Sequence, residues 1–448
     1  MQLYHDGNNS LIRDNGTGHI QVRSGTFTVA NAGLTKTSAI FNSGSGQQLN
    51  FNNNQKFITT NTGVIVSGIC TATSFSGDGS NLTGLSTPLS FRNLIINGAM
   101  EVAQRGTSST SSGMNSVDRF TSNWSGGGVT QAQISEQSGT VFENGFNNYL
   151  RLTNTSNTTT DTDYRFIGQT IEARNVANSG WNFKSSSSYV TLSAWVRSSL
   201  AGTYYGWLNS RDGSGHTYTF SYTLSANTWT KITKTIPGNS NVTIHNNNEE
   251  GLVVHFIPWY GTYYTTSGHT LNTWITQDST NRCPDFGQNW ANTSNATFDV
   301  TGVQLEVGST ATPFEQRSFA DELIRCKRYF NRHGYDTQHG VAKVRIIPGI
   351  NEHPSNYGLY VNFNFDVEMR ATPTITFGSN VSVGRPQVGV QQRITYTSTS
   401  SDSPSGIGFM RWASSGSHGG QLGSTGDAHY YVKIGNDSNS YIDCSAEI

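Results

Sequence analysis

The chain has 448 residues, with 28 Lys and Arg against 29 Asp and Glu, and a formal net charge of −1 at pH 7. This balance supplies no basic field for nucleic acid or an anionic membrane, and no apolar run approaches the ~18 residues of a membrane-crossing helix. Charged residues make up only 13%, aromatics reach 11% and Gly fills 48 positions; that excludes a disordered chain and favours many short strands joined by turns.

Residues 1–90 read as short β pieces. Met1 is followed by "QLYHDGNNS", which is not a secretory signal. Asp6-Gly7 and Asn15-Gly16 are hairpin-turn dipeptides. "FNNNQKFITTNTGVIVSGICTATSF" carries β-branched runs broken by glycine. Apolar residues come too thinly here for a single-chain core, which predicts a fibrous shaft whose core is shared between chains. In "TATSFSGDGSNLTGL", residues 71–85, Phe75, Leu82 and Leu85 would face that shared axis, and Gly77, Gly79 and Gly84 would form the turns.

Residues 91–317 read as a β-sandwich. In "YVTLSAWVR", Val190, Leu192, Ala194 and Val196 alternate with Tyr189, Thr191, Ser193 and Trp195. "TYTFSYTL", "GLVVHFI" and "VTGVQLEV" are further strands, and the lack of intervening helices predicts a sandwich or jelly roll. "SFADELIRCKRYFNR" predicts a connector helix over 318–332, with Ser318 as N-cap and Phe319, Leu323, Cys326 and Phe330 on one face. Residues 333–448 form a distal β domain, where "YGLYVNFNFDVEM" (357–369) alternates throughout and "ATPTITF", "AHYYVKI" and "YIDCSAEI" follow as strands. The fold class expected is all-β: a shaft, a sandwich and a distal β domain, with one short helix.

Sugar binding requires flat aromatic faces against pyranose C–H surfaces, with amides and carboxylates on the hydroxyls. "HFIPWYGTYYTTSGHTLNTW" offers Trp259, Tyr260, Tyr263, Tyr264 and Trp274, with His269, Asn272 and Asp278 nearby. Strand alternation fails after Pro258, which predicts a loop; inter-chain packing or ordinary core are the competing readings of these rings. Trp195 lies opposite the Val/Leu face of its strand, on an open face of the sandwich or in a second core layer. Trp412, His418 and Asp427 sit in a Gly-rich stretch of the distal domain, where a receptor contact competes with a plain loop. Cys70, Cys283, Cys326 and Cys444 are scattered, which predicts free thiols. Glu249, Glu250, Asp278 and Asp285 sit in no hydrolytic motif, and no P-loop, G-x-S-x-G or H-E-x-x-H occurs, so no enzyme is expected.

Several segments resemble bacteriophage tail fibres, especially those of marine cyanobacteria: "TSFSGDGSNLTGL", with "LYHDGNNSLIRDNGTGHI" and "NNNQKFITTNTGVIVSG" upstream. Downstream, "RNLIINGAMEVAQRGTS" and "TFDVTGVQLEVGSTATPFEQRSFADELIRCKRYF" are similar to the first strands and the close of a carbohydrate-binding-module-like jelly roll, and "VEMRATPTITF" to a strand pair of distal fibre domains. The resemblance implies a homotrimer in the virion tail that adsorbs to a host surface glycan and docks through an adaptor or baseplate protein. No cofactor is required. A purely structural fibre and a polysaccharide depolymerase are the alternatives. In the modules resembled, carboxylates near Glu101 and Asp299 hold a structural calcium ion, although "NGAME" here departs from the usual pattern at Ala99 and Met100. "SGDGSN" lacks the spaced acidic ligands of an EF-hand and reads as a turn.

Overall fold

A computed structural model describes residues 2–5, 7–13, 17, 21–71, 91–334, 345–351, 359–378, 381–384, 391–393, 407–411, 430–434 and 441–448. Packing divides the chain into two units, residues 1–84 and 85–448. The stretch 72–90, with Phe75, Leu82 and Leu85, lies outside the described residues, as does the Asn15-Gly16 turn.

The first unit contains a hairpin, β1 (Gln2–His5) and β2 (Ser10–Arg13), and a five-stranded antiparallel sheet. That sheet runs in chain order through β3 (Thr26–Ala30), β4 (Thr37–Asn42), β5 (Gln48–Phe51), β6 (Asn54–Thr60) and β7 (Gly63–Val66). Cross-strand partners share a face, and the register Phe27↔Phe41, Val29↔Ala39↔Leu49↔Phe57↔Val66 makes one face apolar across all five strands. Among the described residues only Ala39 of this face is buried; Phe27 and Phe41 are each 45% exposed. Among the described residues no second layer covers this face, and a single sheet layer by itself has no core.

The second unit begins with β8 (Ser108–Ser109), β9 (Thr121–Trp124), β10 (Gly128–Ser135), α1 (Thr140–Glu143), β11 (Asn148–Ser156), β12 (Tyr164–Glu172) and α2 (Ala173–Ala177). It continues through β13 (Tyr189–Ser198), β14 (Gly202–Ser210), β15 (His216–Leu224), β16 (Thr230–Pro237), β17 (Glu250–Tyr260), β18 (Trp274–Thr276) and β19 (Thr297–Val307). Two six-stranded antiparallel sheets result, ordered β16-β13-β19-β11-β10-β8 and β18-β15-β14-β17-β12-β9. They form the jelly-roll sandwich that the alternating strands predict. Val190, Leu192, Ala194 and Val196 face the interior, opposite Tyr204, Leu208, Phe220 and Phe256 of the second sheet. Gly302 lets β19 follow this packing: its φ is +60° beside a register shift against β13, and a Cβ there would stand 2.7 Å from the Phe146 ring.

After the sandwich come α3 (Phe319–Lys327) and β20 (Phe330–Gly334). The Ser318 hydroxyl accepts a hydrogen bond from the Asp321 amide at 3.2 Å and caps α3. The helix is shorter than the pattern predicts: Phe330 belongs to a strand, because the aromatic pair Tyr329-Phe330 is buried by leaving the helix rather than by continuing it. The chain then runs through β21 (Arg345–Asn351), β22 (Leu359–Asn364), β23 (Thr374–Phe377), β24 (Val381–Gly384), β25 (Gln391–Arg393), β26 (Ile407–Arg411), β27 (Tyr430–Ile434) and β28 (Tyr441–Ser445). The expected strand over 357–369 ends at Asn364; Phe365 and Met369 are buried beyond it, outside regular strand. Two further sheets follow, β25-β24-β27-β21-β22-β26 and β20-β28-β23. The latter is tied to the sandwich: the Gln104 side chain donates to Phe330 O at 2.8 Å, and the Arg119 guanidinium lies 3.6 Å from the Tyr329 ring centroid and pairs with Glu447. All four cysteines are unpaired, with Cys70 exposed and the other three buried.

Candidate functional site

An aromatic row covers the outer face of the second sheet. Tyr164 and Phe166 come from β12, Trp207 from β14 and His255 from β17. His255 stacks on Phe166 at 4.1 Å between centroids and lies 4.1 Å from Trp207 on its other side. Phe166 stacks on Tyr164 at 5.7 Å, and Tyr164 meets Tyr264 edge-on at 6.0 Å. Tyr264 in turn meets Tyr263 at 5.1 Å. Space for the imidazole comes from Gly168, the next outward position on β12; a Cβ there would lie 2.2 Å from His255 Cδ2.

The segment between β17 and β19 lies over this row. Its 3-10 turn, Thr262–Tyr264, carries Tyr263 at 49% exposure. The Arg282 guanidinium stands 5.0 Å from the Tyr264 ring centroid, within cation–π range. His269 Nδ1 is hydrogen-bonded to Asn281 Oδ1 at 2.7 Å. A small cavity of about 10 Å³ remains between Trp207, His269, Gln277 and Arg282, room for about one water.

The face is apolar in extent but retains unsatisfied polar atoms. Asn209 Oδ1, His255 Nδ1 and His269 Nε2 are buried without a hydrogen bond, and the Tyr260 hydroxyl lies toward Arg282 and Trp207 without a well-aligned one. Such atoms are uncommon in native interiors and call for an account. Burial, followed by the charges of Arg211 and Arg282, pushes His255 well below its ordinary value, so its ring is neutral. Burial likewise raises the Tyr260 hydroxyl and the Cys283 thiol.

The rings singled out in the sequence separate into distinct places. Trp259 and Tyr260 are on β17, not on a loop, and are 9% and 2% exposed. Alternation fails because β17 bulges at Pro258: Arg165 pairs with Trp259 but Ile167 with Phe256. The extra residue turns Trp259 back to the interior with Phe256, and Tyr260 outward with Ile257. Trp274 also faces the interior, its Nε1 donating to Pro237 O at 2.6 Å. Tyr263 and Tyr264 remain at the surface of the row. Asn272 donates its backbone N–H to Thr219 O at 2.8 Å, and Asp278 accepts from Thr280 in a tight turn. Trp195 lies on the outer face of the first sheet, part-buried beside Trp229, Tyr149 and Phe146. Trp412, His418 and Asp427 lie outside the described residues.

Asp299 is fully buried and accepts from Arg151 Nε at 2.7 Å, Arg151 Nη2 at 2.9 Å and Arg197 Nε at 2.8 Å. Glu101 has a different neighbourhood, where burial and then the Glu322 charge raise its carboxyl. Two guanidinium cations already neutralise Asp299, so this pair does not fit a calcium ion. Among the described residues, no group of three or more His, Cys, Asp or Glu is placed to hold a metal.

Trp207, His255, Phe166 and Arg282 escape the sequence reading. The signal for them is in "TYYGWLNS", where Tyr204 and Tyr205 place aromatics on both faces of one strand, so the outer face is not a solvated one.

No family model and no curated protein matches this chain. Solved structures similar to parts of it include the N-terminal CBM22-1–CBM22-2 tandem domain of Paenibacillus barcinonensis Xyn10C, at 12% identity and TM-score 0.25 over 80% of this chain and 98% of that one. The N-terminal cellulose-binding domain of Cellulomonas fimi β-1,4-glucanase C is similar at 8% identity and TM-score 0.24, over 47% of this chain and 99% of that one. A family 16 carbohydrate-binding module is similar at 11% identity and TM-score 0.20, over 39% and 84%. Likeness of this degree carries no weight for function, which rests on the residues.

Proposed function

We propose that this chain is a tail-fibre receptor-binding protein that adsorbs to a host-surface polysaccharide without cleaving it. The observation that carries the glycan reading is the outer face of the second sheet: a continuous aromatic row, buried polar atoms without partners, and a covering segment that presents Tyr263, Tyr264 and Arg282. A saccharide lies across the exposed Tyr263 and the half-buried Tyr264 and Arg282 rather than in the one-water cavity beneath. Substituting Tyr263→Ala and Arg282→Ala together is expected to lower binding to isolated host polysaccharide about tenfold or more; unchanged binding defeats the assignment.

The fibre reading rests on the tail-fibre-like segments and on the apolar face from Phe27 to Val66. A homotrimer covers that face with the same face of two neighbouring copies, and three weak sites per fibre gain avidity of ~10²–10⁴ where geometry permits joint engagement. Light scattering of the whole chain is expected to give three chain masses, and a stable monomer overturns it. The virion tail is then the location, with an adaptor or baseplate protein as a partner. A purely structural fibre is favoured by the burial of Trp259 and Trp274, which removes two of the rings from any ligand; polysaccharide binding separates the two readings.

A further inference from the structure

A second concavity, lined by none of the residues of the aromatic row, carries a different chemistry. It has a volume of about 290 Å³ and is formed by residues 91–96, the α2 region and Arg325 of α3. That volume lies near the lower bound of small-molecule sites, about 300 Å³. Its apolar wall includes Leu94, Val307 and the ring of Phe91, which is 73% exposed. Asn175 and Asn178 also line it, the Asn178 Nδ2 donating to Arg174 O at 2.8 Å and Asn246 Oδ1 at 3.1 Å.

Its guanidinium groups are unequally engaged. Arg92 is committed to Glu306, 3.6 Å away. Arg174 approaches Glu172 only to 3.9 Å, and that carboxylate already takes two hydrogen bonds from Arg328 and one from Tyr329. Arg325 makes no hydrogen bond or ion pair among the described residues; its guanidinium rests 5.3 Å from the Phe91 ring centroid. Nearby Glu315 and Glu322 are both held by Arg317, and Asp321 is bonded to the Ser318 hydroxyl. Burial and then the Arg317 charge lower Arg325 from its ordinary value, against the opposing pull of Glu322, Glu315 and Asp321. Two guanidinium groups whose donors make no hydrogen bond among the described residues, beside an exposed ring and the Asn175 amide, match a sugar ring bearing a carboxylate: the forks take the acid, the ring takes a C–H face, and Asn175 with the Asn178 carbonyl oxygen takes hydroxyls.

We infer that this pocket binds an acidic saccharide residue of the uronic-acid class, at a site separate from the aromatic row. The inference rests on the glycan-binding reading above and adds the charge of one of its sugars. Binding is governed by Arg174 and Arg325, weakens with salt, and does not involve Tyr263 or Arg282.

The test is calorimetric titration of the full chain with galacturonate, glucuronate and mannuronate trimers, and with their neutral methyl esters. At least one acid trimer is expected to bind, its ester at least tenfold more weakly. Arg174→Gln and Arg325→Gln each weaken the acid about tenfold, with thermal melting confirming that both variants fold. Phe91→Ala weakens the trimer but leaves inorganic sulfate unaffected. No binding of any acid trimer, equal binding of the esters, unchanged affinity in both arginine variants, or sulfate as tight as the acid trimer each overturns the inference. If the arginine variants retain host polysaccharide binding while Tyr263→Ala with Arg282→Ala loses it, this site fails and the proposed function stands.

Discussion

Arg328 grips Glu172 through two parallel hydrogen bonds, Nε to Oε2 at 3.0 Å and Nη2 to Oε1 at 2.7 Å. The pair fastens the residue after α3 to the end of β12, and Tyr329 adds a third bond to the same carboxylate at 2.9 Å. Glu172 is fully buried. Arg328→Ala therefore strands a buried anion and is expected to cost about 3 kcal/mol in urea unfolding, with Glu172→Gln costing less. Burial alone would raise the Glu172 carboxyl, but the hydrogen bonds from Arg328 and Tyr329 outweigh it and hold it below the ordinary value. Its contribution is complete above the unfolded value of about 4.3 and disappears as pH falls through the lower folded one. A pH-independent Arg328→Ala penalty between neutral and strongly acidic conditions would contradict this.

Asp118 has the opposite sign. Burial raises its carboxyl to about 6, against the opposing pull of Arg105 and the hydrogen bonds from Gln104. The folded chain then holds a proton that the unfolded one has already released, so this group stabilises the fold as pH falls from about 6 toward the unfolded carboxylate value. An NMR titration of the Asp118 carboxyl carbon is expected to show its midpoint near 6, and Asp118→Asn removes that slope from the stability profile. A midpoint near the ordinary value refutes the burial argument.

Gly168 and His255 form a fitted pair. Gly168→Ala places a methyl into the imidazole and against Val254 O at 2.7 Å, and is expected to cost about 2 kcal/mol by overpacking. His255→Ala in the same chain recovers part of that loss, a coupling measurable by a double-mutant cycle. Because burial lowers His255 first and foremost, the unfolded chain takes up its proton near pH 6.5 before the folded one does, so stability falls below that pH. His255→Phe is expected to flatten this dependence.

Trp259 and Tyr263 are only four residues apart yet separate structure from surface. Trp259→Ala is expected to cost about 3 kcal/mol or more, as for a core tryptophan. Tyr263→Ala leaves the melting temperature nearly unchanged while weakening polysaccharide binding. The reverse pattern would place the ligand on the wrong ring.

The sandwich was legible wherever apolar and polar residues alternate along a strand, as in Val190 to Val196, where Thr191 and Ser193 on the other face are buried yet polar. The site was legible only in part. A bulge at Pro258 reverses parity, and "PWYG" then looks like a loop although Trp259 and Tyr260 are packed strand residues. Where both faces of a strand are buried, as along β17, alternation carries no signal for which side bears Trp207 and His255. The end of α3 was misplaced for a related reason: helical spacing holds for Phe330, but tertiary packing draws it into a strand.

Chain order also bears on how the protein assembles. In the first sandwich sheet β19 lies between β11 and β13, and in the small sheet β28 lies between β20 and β23. Each time, the strand in the middle is made after both neighbours. During synthesis the halves of these sheets wait with open edges, and closing the first requires a connection of just under 100 residues, from Ser198 to Thr297, where Ser199 N donates to Thr297 O. Such late, non-local closure slows folding and makes each sheet all-or-none: a nascent chain that stops before residue 297 has no first sheet to lose gradually. Cutting the sandwich within 91–307 therefore does not yield a smaller domain; it yields two unpaired ribbons.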